Sequence, residues 1–194
     1  MKAKRTRGIA WTYHGDYFRL ALENWERIQK LKQEHDALQV KFGSHNKIGD
    51  DIANQLAAKN DAIGKLALVV IVFCAFTLEA YINDYAINRL SKNYLKNYLD
   101  KLDLVAKWLV IPRLVTHKQL DPGSRPLQDL AWLVELRNRL AHYKSKEVAI
   151  EQIKASDFLW YEDADRAVRA VRDTVSALQA IDKKARGDWL RTEA

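Results

Sequence analysis

The sequence predicts an all-α fold, a helical bundle of four principal helices with shorter ones between them. Three observations predict it. Only seven Gly and three Pro occur in 194 residues, which leaves little material for tight turns. Apolar residues recur at three- and four-residue steps over long stretches, the spacing of a buried helix face. No alternating apolar and polar run lasts long enough to build a sheet. The length fits one domain, here residues 11–194 behind a basic flexible tail at 1–10, and is enough to bury a core without covalent staples.

The first helix is expected from about His14 to Lys41, where Phe18, Leu22, Trp25, Ile28, Leu31 and Leu38 form one stripe. Gly43-Ser44-His45-Asn46 reads as a break, followed by a polar helical stretch over Ile48 to Asn60. The most apolar helix comes next, Asp61 to Leu90, with Gly64 its only weak helix former. Ser91-Lys92-Asn93 marks a restart, and Tyr94, Leu95, Tyr98, Leu99, Leu102 and Val105 carry a helical period towards Pro112. Leu120-Asp121-Pro122-Gly123-Ser124-Arg125 is built of turn residues, and Pro126 suits the first turn of the helix that follows, which runs to about His142. After a less regular stretch a final helix begins near Glu162, with Ala164, Val168, Val171, Val175, Leu178, Ile181 and Ala185 as its apolar stripe.

Composition narrows the classes of function. The lone Cys74 excludes an intramolecular disulfide and a cysteine-based zinc site, and its apolar surroundings make it core packing in a reducing cytoplasm. The apolar run from Leu66 to Leu78 is shorter than the ~20 residues a bilayer needs, so a buried helix is expected and no membrane. Basic residues at the N-terminus have no apolar run behind them, so no signal peptide is expected. The net charge of +7 is uneven: Lys2, Lys4, Arg5 and Arg7 crowd one short tail, and a second surplus lies between Tyr85 and Lys118. That asymmetry favours an anionic partner such as RNA, or describes a soluble basic surface. No Gly-rich phosphate loop, zinc finger or helix-turn-helix pattern is present. His14, His35, His45 and His117 lack metal-ligand spacing and read as surface side chains, and the six tryptophans read mostly as core.

The segment Glu135-Leu136-Arg137-Asn138-Arg139-Leu140-Ala141-His142-Tyr143 departs from the pattern of a plain scaffold helix. With Leu127 at zero on a wheel of ~100° per residue, Leu130, Ala131, Leu133, Val134, Leu140 and Ala141 fill a broad apolar arc. Gln128, Glu135 and Arg139 fall opposite, towards solvent. Arg137 falls inside the apolar arc, where a cation must snorkel, pair with a carboxylate or line a polar groove. Asn138 and His142 are four apart and share a face.

Arg137-Asn138, three further residues and His142, on a late helix of a small all-α domain, resemble the signature of the HEPN superfamily. Phe76-Thr77-Leu78-Glu79-Ala80-Tyr81-Ile82-Asn83 resembles the helix that packs against that signature. The resemblance covers roughly 61–181. It implies a metal-independent endoribonuclease without a cofactor, working as a homodimer in which two motifs meet across a cleft. By that resemblance His142 transfers protons, Arg137 stabilises charge on the phosphoryl oxygens and Asn138 orients the histidine or a phosphate. Glu79 and Asn83, one turn apart, are the expected supporting residues, and Tyr143, Lys144 and the four tail cations are expected to contact RNA. The family also suggests a toxin or defence effector, checked by a partner such as a small nucleotidyltransferase antitoxin.

Each residue also has a plain structural role available. Arg137 can pair with Glu79, and His142 can close the helix C-terminus, where the dipole favours a cation. The same bundle can also serve as a non-catalytic module that binds RNA, a nucleotide or a partner protein.

Overall fold

The computed structural model describes residues 12–43, 50–142 and 160–191. These residues are all-α, with six α-helices and no strand among them: α1 (His14–Gly43), α2 (Asp50–Arg89), α3 (Lys92–Tyr94), α4 (Leu104–Thr116), α5 (Arg125–Ala141) and α6 (Tyr161–Ile181). A π-helical turn, Leu95–Leu99, extends α3, and a 3-10 turn, Asp188–Leu190, closes the described chain.

The 40-residue helix α2 is the centre of the bundle. It packs against α1, α4, α5 and α6. Its inward side, including Val70, Ile71, Cys74, Leu78 and Ile82, is fully buried. Phe18, Trp25 and Ile28 of α1 and Val168, Val171 and Val175 of α6 complete one connected core. The sequence reading separated a polar stretch ending at Asn60 from an apolar helix starting at Asp61. The structure joins them in one helix, because a change from polar to apolar side chains carries no backbone stop signal without Gly or Pro. By length and composition alone, α2 is apolar enough to cross a membrane, yet 44% of its most apolar window lies inside the bundle.

Smaller differences have local causes. The restart at Ser91 is present, and its hydroxyl accepts the Tyr94 N–H at 3.1 Å. The period expected to continue to Pro112 is interrupted at Asp103, whose carboxylate accepts the Ala106 N–H at 2.9 Å and opens α4. That helix runs past Pro112 and ends where His117 takes a left-handed φ of 59°. Pro126 lies in the first turn of α5 as expected, and α5 closes on His142, whose backbone N–H donates to the Asn138 carbonyl at 2.9 Å.

Two histidines expected on the surface, His14 and His35, are buried instead. His117 is exposed, and His45 lies outside the described residues. His14 sits edge-on to Tyr81 and Trp189, a setting created by the chain's return after α6. Cys74 is wholly buried, which pushes its thiol far above the range of a reactive group. Trp108 is also fully buried, and its indole N–H donates to the Leu78 carbonyl at 3.3 Å, tying α4 to α2.

Trp108→Ala removes the largest fully buried side chain and is expected to cost about 3–5 kcal/mol, read as a lowered urea midpoint with the slope unchanged. Burial pushes the His14 imidazole below its ordinary 6.5, against the opposing pull of Asp84, Asp188 and Asp16. The unfolded chain therefore binds a proton just below pH 6.5 where the folded one does not. His14 thus contributes stability above that pH that is lost as the pH falls. His14→Phe is expected to lose less stability than wild type on acidification through this window, measured by urea denaturation on both sides of it.

Candidate functional site

The site is built where the C-terminal half of α5 crosses α2. Leu127, Leu130, Leu133 and Leu136 are buried against the bundle, so α5 has little freedom to rotate. Asp129, also buried, is gripped by Arg166 of α6 at 2.7 Å and by Arg125 at 3.5 Å. Arg166 in turn lies over the Trp132 ring, 4.2 Å from its centroid. These contacts lock α5 to α6 and fix which way the motif residues face.

Arg137 is directed towards α2. Its side chain is half-buried, and its Nη2 lies 3.5 Å from Glu79 Oε2. That distance is long for a charge-assisted hydrogen bond, so the guanidinium is held loosely and keeps donors to spare. Its Nε is buried with no partner among the described residues. The expected pairing of Arg137 with Glu79 is present, and both remain partly open to solvent.

Asn138 and His142 share the exposed side of α5. At ~100° per residue, five positions separate His142 from Arg137 by about 140° around the helix. One chain therefore brings Asn138 and His142 together but turns Arg137 away from them. Ala131 and Ala141, placed in the apolar arc by the wheel, are exposed, because the packed surface of α5 centres on Leu130 and Leu133. Arg139 is at the surface as expected. Tyr143, Lys144 and the cations Lys2, Lys4, Arg5 and Arg7 lie outside the described residues.

One polar residue of the site escaped the sequence reading. Lys107 of α4 is buried, and its ammonium donates to Asn83 Oδ1 at 3.2 Å, with Asp100 4.0 Å away. Asn83 thus serves Lys107, while Glu79, one turn earlier on α2, serves Arg137. The sequence carries a signal for this, since Lys107 interrupts the otherwise apolar run Leu104-Val105-Ala106-Lys107-Trp108-Leu109-Val110-Ile111. The result is a band on α2 with a carboxylate and an amide, each holding a cation brought by a different helix.

No group of three or more metal-ligating side chains occurs among the described residues. Comparison with models of protein families, with curated proteins and with solved structures finds no match to this chain.

Asn83→Leu strands a buried ammonium and is expected to cost about 1–3 kcal/mol. Lys107→Met, which removes the charge while keeping the bulk, is expected to be neutral or stabilising, and to restore most of what Asn83→Leu loses when the two are combined. Chemical denaturation of the three variants measures both effects.

Proposed function

We propose that the chain is a HEPN-type, metal-independent endoribonuclease, acting as a cytoplasmic homodimer in a toxin or defence system. The observation that carries this reading is the constellation at the end of α5. A guanidinium with donors to spare is steered by Glu79, and an amide and an imidazole stand together on the adjoining solvent-open face.

The reaction is a transesterification. The ribose 2′ oxygen attacks the adjacent phosphorus, the bond from phosphorus to the 5′ oxygen breaks, and the 2′-hydroxyl proton is taken up as another is delivered to the leaving oxygen. The products are a 2′,3′-cyclic phosphate and a free 5′-hydroxyl. His142 handles the proton, since an imidazole can both accept and donate one near neutrality. Asn138, one turn away, orients it or the phosphate. Arg137 meets the charge that develops on the phosphoryl oxygens, which its planar fork can bind through two donors.

A second copy of the chain supplies what one α5 does not, because it can set the Arg137 of one subunit beside the His142 of the other. The outward side of α2 supports such a pairing: Leu68, Phe76 and Ile87 are exposed there, with Phe76 one turn from Glu79. RNA is the substrate, and a small nucleotidyltransferase partner is the antitoxin this class of function calls for. The second reading, a module that binds RNA, a nucleotide or a protein without cutting, is favoured by the engagement of Arg137 with Glu79 and its divergence from His142.

Purified protein incubated with end-labelled RNA in EDTA is expected to cut it, leaving cyclic phosphate ends. His142→Ala and Arg137→Ala, checked for folding, are each expected to be at least ~10²-fold slower. A folded wild-type dimer that binds several RNAs with a steep salt dependence and cuts none gives the assignment to the binding module.

A further inference from the structure

A cavity of about 1000 Å³ opens between the first turns of α1, the C-terminal half of α2 and the segment after α6. None of Arg137, Asn138 and His142 lines it. Its wall is aromatic. The rings of His14, Tyr81 and Trp189 pack on one another, with centroids 5.3 Å apart for His14 and Tyr81, 4.8 Å for His14 and Trp189, and 5.2 Å for Tyr81 and Trp189.

The wall is also fixed in place. Tyr81 donates its hydroxyl to the Arg186 carbonyl at 2.6 Å, and Tyr85 donates to Asp182 at 2.7 Å.

Two features of this cavity call for a ligand. Four buried side-chain nitrogens among the described residues have no hydrogen-bond partner, and three of them, His14 Nδ1, Arg89 Nε and Trp189 Nε1, belong to residues that line it. Buried polar atoms are rarely left unpaired in folded proteins, and a cluster of them marks a missing partner. The charged lining, in turn, is balanced, with five carboxylates and five Lys or Arg side chains. Within that balance, Asp84 and Asp188 form no ion pair among the described residues, although both act on His14 through space.

These features select a ligand by elimination. The Arg89 guanidinium and the Trp189 indole can only donate, so they favour an acceptor. Asp84 and Asp188, left without an ion pair, accept only when ionised and so favour a donor, and a cation above all. A simple anion leaves the two carboxylates unmatched, and a simple cation leaves the two donors unmatched. We propose that this cavity binds a small ampholyte, a free amino acid or a short peptide, with its ammonium at Asp84 and Asp188 and its carboxylate at Arg89. The partly exposed Trp189 ring, backed by the buried Tyr81, takes the body of the ligand and meets its ammonium. The volume is at the upper end for small-molecule sites and admits a dipeptide as well as a single amino acid.

The test uses the full chain and calorimetric titration with each proteinogenic amino acid and a set of dipeptides. The two arms identify which source of this chemistry the cavity takes. The tightest probe is then compared with its C-terminal amide, which keeps only the ammonium, and its N-acetyl form, which keeps only the carboxylate. The proposal expects saturable binding that is weaker by about tenfold or more for each singly charged form. Asp84→Asn and Asp188→Asn are expected to weaken the parent probe similarly, while Leu114→Ala, exposed and outside the cavity, binds it as wild type does. Asp188 is exposed, so its variant decides the matter if Asp84→Asn does not fold. The proposal is overturned if no probe binds, if either singly charged form binds as tightly as the parent, or if binding survives loss of the carboxylates.

Discussion

Helix α2 must bury an apolar side along most of its length, and the rest of the structure follows from that requirement. Forty residues at ~1.5 Å each give a rod of about 60 Å, too long for a single neighbour to cover. The helices α1, α4, α5 and α6 share the task. Hydrophobic burial is non-directional and does not by itself say where along the rod each neighbour sits. The polar residues of α2 supply the registry. Glu79 takes Arg137 of α5, Asn83 takes Lys107 of α4, and Tyr81 and Tyr85 hold the chain that returns after α6. These four polar side chains serve three neighbours, so a short stretch of one helix fixes the placement of two other helices and of the returning chain.

The same arrangement sets two clusters of polar groups of contrasting character. At the end of α5 Asn138 and His142 are open to solvent and Arg137 is half-buried and loosely held by Glu79. Between α1, α2 and the returning chain they line an open cavity, with aromatic rings behind them and charges balanced in sign. Asp182 belongs to the frame of the second cluster. Burial alone would raise its carboxyl, but the Lys184 backbone N–H, the Tyr85 hydroxyl and the Arg89 guanidinium together outweigh that and hold it below the usual carboxylate range. Arg89 thereby has one nitrogen committed to Asp182 at 3.2 Å while its Nε stays without a partner. The guanidinium is anchored and unsatisfied at once, a combination that preorganises a binding group.

The sequence by itself determined the all-α class, the buried stripes of α1 and α6 and several helix ends. The stripes Phe18-Leu22-Trp25-Ile28 and Val168-Val171-Val175 are local patterns, and the residues that make them are buried. The cap at Ser91 and the proline in the first turn of α5 are likewise legible within a few residues. Local patterns also placed an arginine among the apolar residues of α5 and an asparagine and a histidine on one shared face, while the exposure of that face came from the tertiary structure. Tertiary structure alone decided which polar groups lost their water. The hydroxyls of Tyr81 and Tyr85 reach partners 105 and 97 residues away, the burial of His14 depends on Trp189, and that of Lys107 depends on Asn83. The physical reason is that periodicity reports a residue's direction from its own helix axis, whereas desolvation and pairing depend on what the rest of the chain brings to that side.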